Sequence, residues 1–391
     1  MNSRELLQKL LAFDTTSRNS NLALIDFVRD YLCAHGVDST LVHDDSGAKA
    51  NLYATIGPPD KPGVMLSGHS DVVPVDGQQW SSEPFELVER DGRLYGRGAA
   101  DMKGFIACAL AAVPALRATD LHTPVHLALS YDEEVGCLGV RRLIDMLEGL
   151  APRPAMAIIG EPTSMALVIG HKGKRAIRVE VDGHACHSAY PSEGVNAVEY
   201  AAELIAGIRR IHARFKRHGP FDSDYRVPHT TLHVGSVSGG TAINIVPRQC
   251  RFDFEIRHLP QDDPERIIGE IQRYADEVLS AEMRAVDEHA GFRFTGLSGY
   301  PGLFTAADAQ VVGFVRGLLD GEAAPGKVSF GTEGGLFSQR LGIPAVVCGP
   351  GSIAQAHKPD EFVATSQLAA CDALLARLGA ALARPAAERF S

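Results

Sequence analysis

Leucines recur at helical spacing over residues 4–12, followed by the turn-prone run Asp14-Thr15-Thr16-Ser17. Residues 21–35 predict a second amphipathic helix, stopped at Gly36. Two short apolar runs, 51–56 and 63–67, are bounded by Gly and Pro and predict strands. An Ala-rich helix is expected over 104–118, a strand over 125–131, a helix over 140–147 and an apolar strand over 155–160. Strands alternating with helices predict an α/β layer structure around a mostly parallel sheet.

The pattern changes near Gly173. Residues 175–181 alternate as a strand with one wet face, 194–215 read as a long helix, 230–236 and 250–257 as strands, 264–279 as a helix and 291–295 as a last short strand. This βαββαβ order is the ferredoxin-like plan, set as a small α+β domain inside the first one. The expected division is 1–174 with 299–391 for the larger domain and 175–298 for the insertion. The α/β pattern resumes with a helix over 307–319, a strand over 344–348 and a C-terminal helix over 365–381. The Arg/Ala/Glu tail from Arg384 onward is expected to fray.

Length supports this division, because 391 residues exceed what one hydrophobic core usually serves. Hydrophobic residues make up 45% and charged residues 22%, enough for a sizeable core in a soluble protein. A formal net charge of -10 argues against nucleic acid or an anionic membrane as the main partner. Seven cysteines, an odd count with no CxxC pair, fit free thiols in a reducing compartment. The N-terminus lacks a basic start followed by a long apolar run, and no stretch approaches the ~20 apolar residues that span a bilayer. A cytoplasmic location is expected.

Candidate chemistry collects where predicted strands end. His69 and Asp71 lie in SGHSDVVP, Asp101 in GRGAADMKG, Glu133 and Glu134 in SYDEEVG, Glu161 in IGEPT, and His357 in AQAHKPDE. Ligand sites in open α/β sheets form beyond the carboxyl ends of the strands, so residues far apart in sequence converge there. Two histidines and three carboxylates are a plausible set for two zinc ions sharing one bridging carboxylate. Each element also has a plainer reading. His-x-Asp is often a satisfied polar pair in a loop, Asp101 is well placed as a helix N-cap, Glu161 can cap a turn, and a lone loop histidine such as His357 is usually just exposed. Adjacent acids such as Glu133-Glu134 are tolerated on a surface turn. In a metal site, one binds a cation while the other keeps a raised proton affinity for general-base work. The case rests on all of them falling at strand ends of one domain. The insertion adds His184 and His187 in GHACHSA, Asn196, Asn244 in GGTAIN, and Arg257. Turn chemistry accounts for His184, and a first-turn helix position accounts for Asn196.

HSDVVP, GRGAADMKG, DEEVG, GEPT, the GHACHSA loop, GGTAIN and AHKPDE occur in an order and spacing covering nearly the whole chain. As a set they resemble the co-catalytic zinc family of aminoacylases, carboxypeptidases and acyl-diamino-acid deacylases. The resemblance implies that Asp101 bridges two Zn2+ ions, with Co2+ able to substitute. His69 and Glu134 would complete one site, and Glu161 and His357 the other. It further implies Glu133 as general base, Asp71 as the group orienting His69, and a cis peptide after Asp101. His187 would help to hold the oxyanion, across a dimer interface or after domain closure, and Asn244 and Arg257 would contact the substrate carboxylate. The implied activity is metal-dependent amide hydrolysis of a small N-acyl amino acid. Within the family, IGEPTSMALVIGHKG, the TEGG loop at 332–335 and CGPGSIAQAHKPDEF carry a closer resemblance, which implies N2-acetyl-L-ornithine as substrate and a place in arginine biosynthesis. A homodimer through the exposed edge of the small domain's sheet is expected.

Three other readings share the fold. A succinyl-diaminopimelate desuccinylase would need an extra cation for the succinyl carboxylate, and Lys172, Lys174 and Arg175 lie near the domain junction. A broader aminoacylase or dipeptidase would keep the same metal site. A catalytically inactive binding protein would lack a ligand or the base, and none is missing here.

Overall fold

A computed structural model describes residues 1–320 and 324–385, so tail residues 386–391 lie outside the described part. The chain divides into two compact units. The larger comprises Met1–Gly170, Leu303–Lys327 and the chain from Thr332 onward. The smaller comprises His171–Gly302 and Val328–Gly331.

In the larger unit Val64–His69 lies between Val125–Ser130 and Met156–Ile159, parallel to both, and Ala345–Val347 extends this parallel core beyond Met156–Ile159. All four are short, apolar and buried, as strands covered on both faces should be. Antiparallel strands flank them: Ala50–Ile56 and then Ser39–His43 on one side, Val168–His171 on the other. The helix Lys103–Ala118 is apolar around most of its circumference, and it is buried between Ser3–Leu11 and Thr365–Leu382. Ile106 and Leu110 of that helix are fully inaccessible, each burial contributing roughly 1.5–3 kcal/mol. The N-terminal helix is closed by a reciprocal capping box between Asn2 and Glu5.

The smaller unit has a four-stranded antiparallel sheet in the order Thr231–Gly239, Gln249–His258, Gly173–Asp182, Gly291–Tyr300. Ala197–His218 follows the first strand in sequence, and the helical segment from Pro264 to Arg284 precedes the last. Their apolar faces form a separate core around Val179, Leu204, Phe252 and Ile271.

Several elements depart from the sequence pattern. The last strand of the small sheet runs to Tyr300, well beyond 295, with a register irregularity between Gly296 and Ser298. Asn196 is the N-cap of its helix, accepting from the Val198 and Glu199 amides. Strands Ser39–His43, Val88–Arg90, Arg93–Tyr95, Val168–His171 and Phe362–Ala364 and the helix Gly334–Leu341 were not expected. Most are too short to display a period. No helix among the described residues is long and apolar enough to cross a membrane.

Candidate metal centre

Parallel pairing places three of the candidate segments side by side. His69 ends its strand opposite Ser130, the residues after Ser130 form the 131–139 loop, and Glu161 follows Met156–Ile159. Asp101 comes from the turn ahead of Lys103–Ala118, and His357 from the loop after Ala345–Val347, at a positive φ of 63°.

These side chains converge. His69 Nε2 lies 3.0 Å from Asp101 Oδ1 and 3.8 Å from Glu161 Oε1. His357 Nε2 lies 3.2 Å from Asp101 Oδ2 and 3.0 Å from Glu134 Oε2. Asp101 thus directs one carboxylate oxygen to each imidazole. It is no helix cap, because the helix starts at Lys103 with no side-chain cap. His357 is half-exposed, yet its imidazole points at two carboxylates. Candidate ligand atoms of His69, Asp101 and Glu134 all lie within 4.8 Å of one another, as do those of His69, Glu133 and Glu161. The direct contacts nevertheless pair the glutamates oppositely to expectation, Glu161 with His69 and Glu134 with His357.

So many acids in one buried spot cannot all stay charged without cations. Burial, reinforced by Asp101, pushes the Glu134 carboxyl up to about 7 and holds Glu161 well above its ordinary range. Glu133 is pushed up to about 8 by burial and by Glu134, Glu333 and Asp101, against the pull of His69. Hydrogen bonds to Asp101 and Glu134 raise His357 to about 10. For His69, burial opposes the charge, but Asp101, Asp71 and Glu161 outweigh it and the pKa is well above normal. Glu134 Oε1 is buried without a hydrogen-bond partner among the described residues. An orphaned carboxylate oxygen beside imidazole and carboxylate donors is what a bound cation satisfies. The donor set fits two borderline divalent ions sharing Asp101.

Comparison with known proteins agrees with this geometry. The profile described as peptidase family M20/M25/M40 matches residues 65–380. The chain belongs to that family. An acetylornithine deacetylase from Myxococcus xanthus is 39% identical over 385 residues, covering 96% of each chain. One from Pasteurella multocida is 35% identical over 368 residues, covering 92% of this chain and 91% of the other. Among solved structures, an M20 metallo-carboxypeptidase from Sulfolobus solfataricus superposes with a TM-score of 0.79 at 18% identity, covering 98% of this chain and 99% of that one. The mixed α/β architecture with a mostly parallel central sheet is thus that of M20 metallohydrolases.

Around the M20 centre lies a shell of supporting groups, of which sequence reasoning assigned only Asp71. Asp71 sits beside His69, whose Nδ1 is 2.9 Å from the Asp71 carbonyl oxygen and 3.5 Å from its Oδ1. The Asp71 carboxylate also accepts from Ser17 Oγ at 2.7 Å and from the Glu133 and Glu134 amides at 3.0 and 3.3 Å. It therefore fixes the acidic loop as well as the imidazole. Lys49 donates at 2.5 Å both to Asp132 Oδ1 and to the Ser17 carbonyl, tying the same loop to the N-terminal turn. Glu361, within the AHKPDE motif, accepts from the Ala100 and Asp101 amides at 2.9 and 3.0 Å and from Arg97 Nη1 at 2.6 Å. Gly98 makes the turn before Asp101 at φ +85°, where a Cβ would lie 2.7 Å from Val72. The Asp101–Met102 peptide is cis. Glu333, in the TEGG loop, is buried beneath the parallel strands, accepting from Ser130 at 2.5 Å and Ser67 at 3.3 Å. Burial pushes its carboxyl up to about 7.

The remaining candidates lie in the smaller unit. His187 pairs with Ile245 in an isolated bridge, and the Ser188 amide donates to the Asn244 carbonyl, so His187 and Asn244 are brought together on an exposed rim. The Ala189 amide donates to His187 Nδ1 at 3.0 Å. That contact requires a bare Nδ1, which leaves the proton on Nε2. Arg257 stands on the sheet, donating to Glu255 Oε1 at 3.1 Å and Tyr300 Oη at 2.8 Å. His184 is held by Asp287 at 2.7 Å, consistent with a turn role.

Proposed function

We propose that this M20 hydrolase removes the acetyl group from N2-acetyl-L-ornithine, giving ornithine and acetate, and so serves arginine biosynthesis in the cytoplasm. The observation carrying the chemistry is the paired contact of Asp101, one oxygen to His69 and the other to His357, next to a Glu133 of raised proton affinity. The acetyl-ornithine assignment is supported by two relatives bearing that name at 39% and 35% identity over most of the chain. His69 and Glu161 would hold one zinc, His357 and Glu134 the other, with Asp101 between them and cobalt able to substitute. When bound, such ions polarise an amide carbonyl and acidify an attacking water.

The chain's own groups do the rest. Glu133 takes the proton of the attacking water and returns it to the leaving amine, work for which a carboxyl near neutrality is suited. Asp71 holds the Glu133 and Glu134 amides and the His69 ring in one frame. His187, protonated at Nε2, offers a neutral donor for the oxyanion. Arg257 and Asn244 bind the substrate carboxylate, the arginine through its planar fork. The three cations considered for a succinyl carboxylate are already engaged, Lys172 with the His229 carbonyl at 2.6 Å, Lys174 with Glu255 at 3.8 Å and Arg175 with Glu265 at 2.8 Å. The edge strand Thr231–Gly239, exposed over most of its length with Val237 on its surface, is the surface through which a homodimer would form.

The deciding assay measures amine released from N-acetyl-L-ornithine, N-succinyl-diaminopimelate and N-acetylmethionine by metal-free protein, then with zinc or cobalt restored. Metal-dependent release at least about tenfold better in kcat/KM for acetylornithine is expected, a margin of about 1.4 kcal/mol in transition-state binding. Preference for another substrate would keep the mechanism and discard the assignment. No release from any, despite tight binding of two metal ions, would make the chain a binding protein.

A further inference from the structure

Arg257 does not stand alone on its sheet. In strand register both Arg257 and Tyr300 are opposite Lys174, one from each neighbouring strand. Directly opposed residues of antiparallel strands project to the same face, so the three side chains form a row across the small sheet. The Tyr300 hydroxyl oxygen accepts from Arg257 Nη1 at 2.8 Å while Glu255 accepts from Nε at 3.1 Å. Tyr300 is only 8% exposed, and its own ring is fixed from behind. The Gly331 backbone packs against it so closely that a Cβ there would fall 1.9 Å from ring atom Cε2. The His171 ring stands edge-on to it at 6.3 Å.

We propose that Tyr300 is a positioning residue for substrate recognition, holding the Arg257 guanidinium in the plane from which it reads the α-carboxylate. This rests on the role of Arg257 given above. Two fixed acceptors at Nε and Nη1 orient the fork before any ligand arrives. Nη2 and the second Nη1 hydrogen are then left to grip a planar anion. Pre-organisation of this kind lowers the ordering cost of binding, so its loss appears in KM before kcat. Gly331 is part of the device, because any side chain there displaces the tyrosine ring.

The test compares N-acetyl-L-ornithine with its α-carboxamide in the zinc-loaded enzyme. Tyr300→Phe, which removes only the hydroxyl, should raise KM for the carboxylate substrate roughly tenfold with a smaller change in kcat. KM for the carboxamide should move less than about twofold, since the lost contact serves the anion. Gly331→Ala should reproduce this pattern. Arg257→Ala serves as the reference, abolishing the preference for carboxylate over carboxamide. If Arg257→Ala leaves that preference intact, the carboxylate role of Arg257 is wrong. If Arg257→Ala abolishes it while Tyr300→Phe and Gly331→Ala retain the wild-type ratio, Arg257 is the reader and the positioning role of Tyr300 is refuted. Equal loss on both substrates in Tyr300→Phe would also overturn the inference, as the mark of a general structural defect.

Discussion

At the scale of single residues, the centre is governed by charge that burial alone would not allow. Glu133 and Glu134 are neighbours in sequence, and both carboxyls sit near neutrality, raised first by burial. Their amides nonetheless share one acceptor in Asp71. Replacing Glu133 by Gln keeps the shape and removes the base. A fall in kcat of about 10²–10⁴ is expected, with two metal ions still bound by elemental analysis. A rate within about tenfold of wild type would remove Glu133 from the mechanism. The candidate ligands were legible in sequence because each sits in a short local motif in a loop that borders a predicted strand or helix. Glu361 and Glu333 were not, because their contacts span 261 and 203 residues of chain. Nothing local distinguishes such acids from surface ones. Which glutamate faces which histidine was likewise beyond the sequence, since spacing orders ligands along the chain and not around a centre.

At the scale of elements, the turn 96–101 is held from outside. Arg97 and Glu361 are both fully buried and 2.6 Å apart, and Arg97 also reaches Gln78 at 2.6 Å and lies over the Trp80 ring at 4.9 Å. Removing one partner of a buried ion pair strands the other, at a cost of about 3–5 kcal/mol. Glu361→Gln should therefore lower the melting temperature and weaken metal binding together, because the same carboxylate carries the Asp101 amide. Unchanged metal affinity by titration calorimetry would separate the turn from the centre. Long helices were legible here because their periods repeat several times. The three-residue strands Arg93–Tyr95 and Phe362–Ala364, which pair far along the chain near this turn, had no period to read. The helix beginning at Pro264 was expected to end at 279. A π-type turn over Tyr274–Leu279 instead carries it on to Arg284.

At the scale of the whole molecule, opposed titrations set the response to acid. His126 and His171 are buried and held down to about 4, below the ordinary 6.5. Since the unfolded chain takes up these protons first, the stability they support is complete above about pH 6.5 and is lost as pH falls towards 4. Glu133, Glu134 and Glu161 of the metal-free centre have raised values and act in the opposite sense, gaining protons in the folded state. Comparing metal-free wild type with His126→Gln isolates the histidine. The stability difference between them should change by up to about 3 kcal/mol between pH 6.5 and 4, read from melts at each pH. A difference independent of pH would mean that His126 is not held neutral. The sequence by itself determined the alternation of α/β elements, the βαββαβ order of the second part, and the kinds of residue that close each strand. These follow from side-chain periodicity and backbone preference, which act over a few residues. Tertiary structure alone decided that Asp101 offers one oxygen to each imidazole, that Asp71 and Glu361 hold the surrounding amides, and that Tyr300 and Gly331 steady Arg257. Those contacts join segments from about thirty to more than 250 residues apart, which only the packed sheets bring within reach.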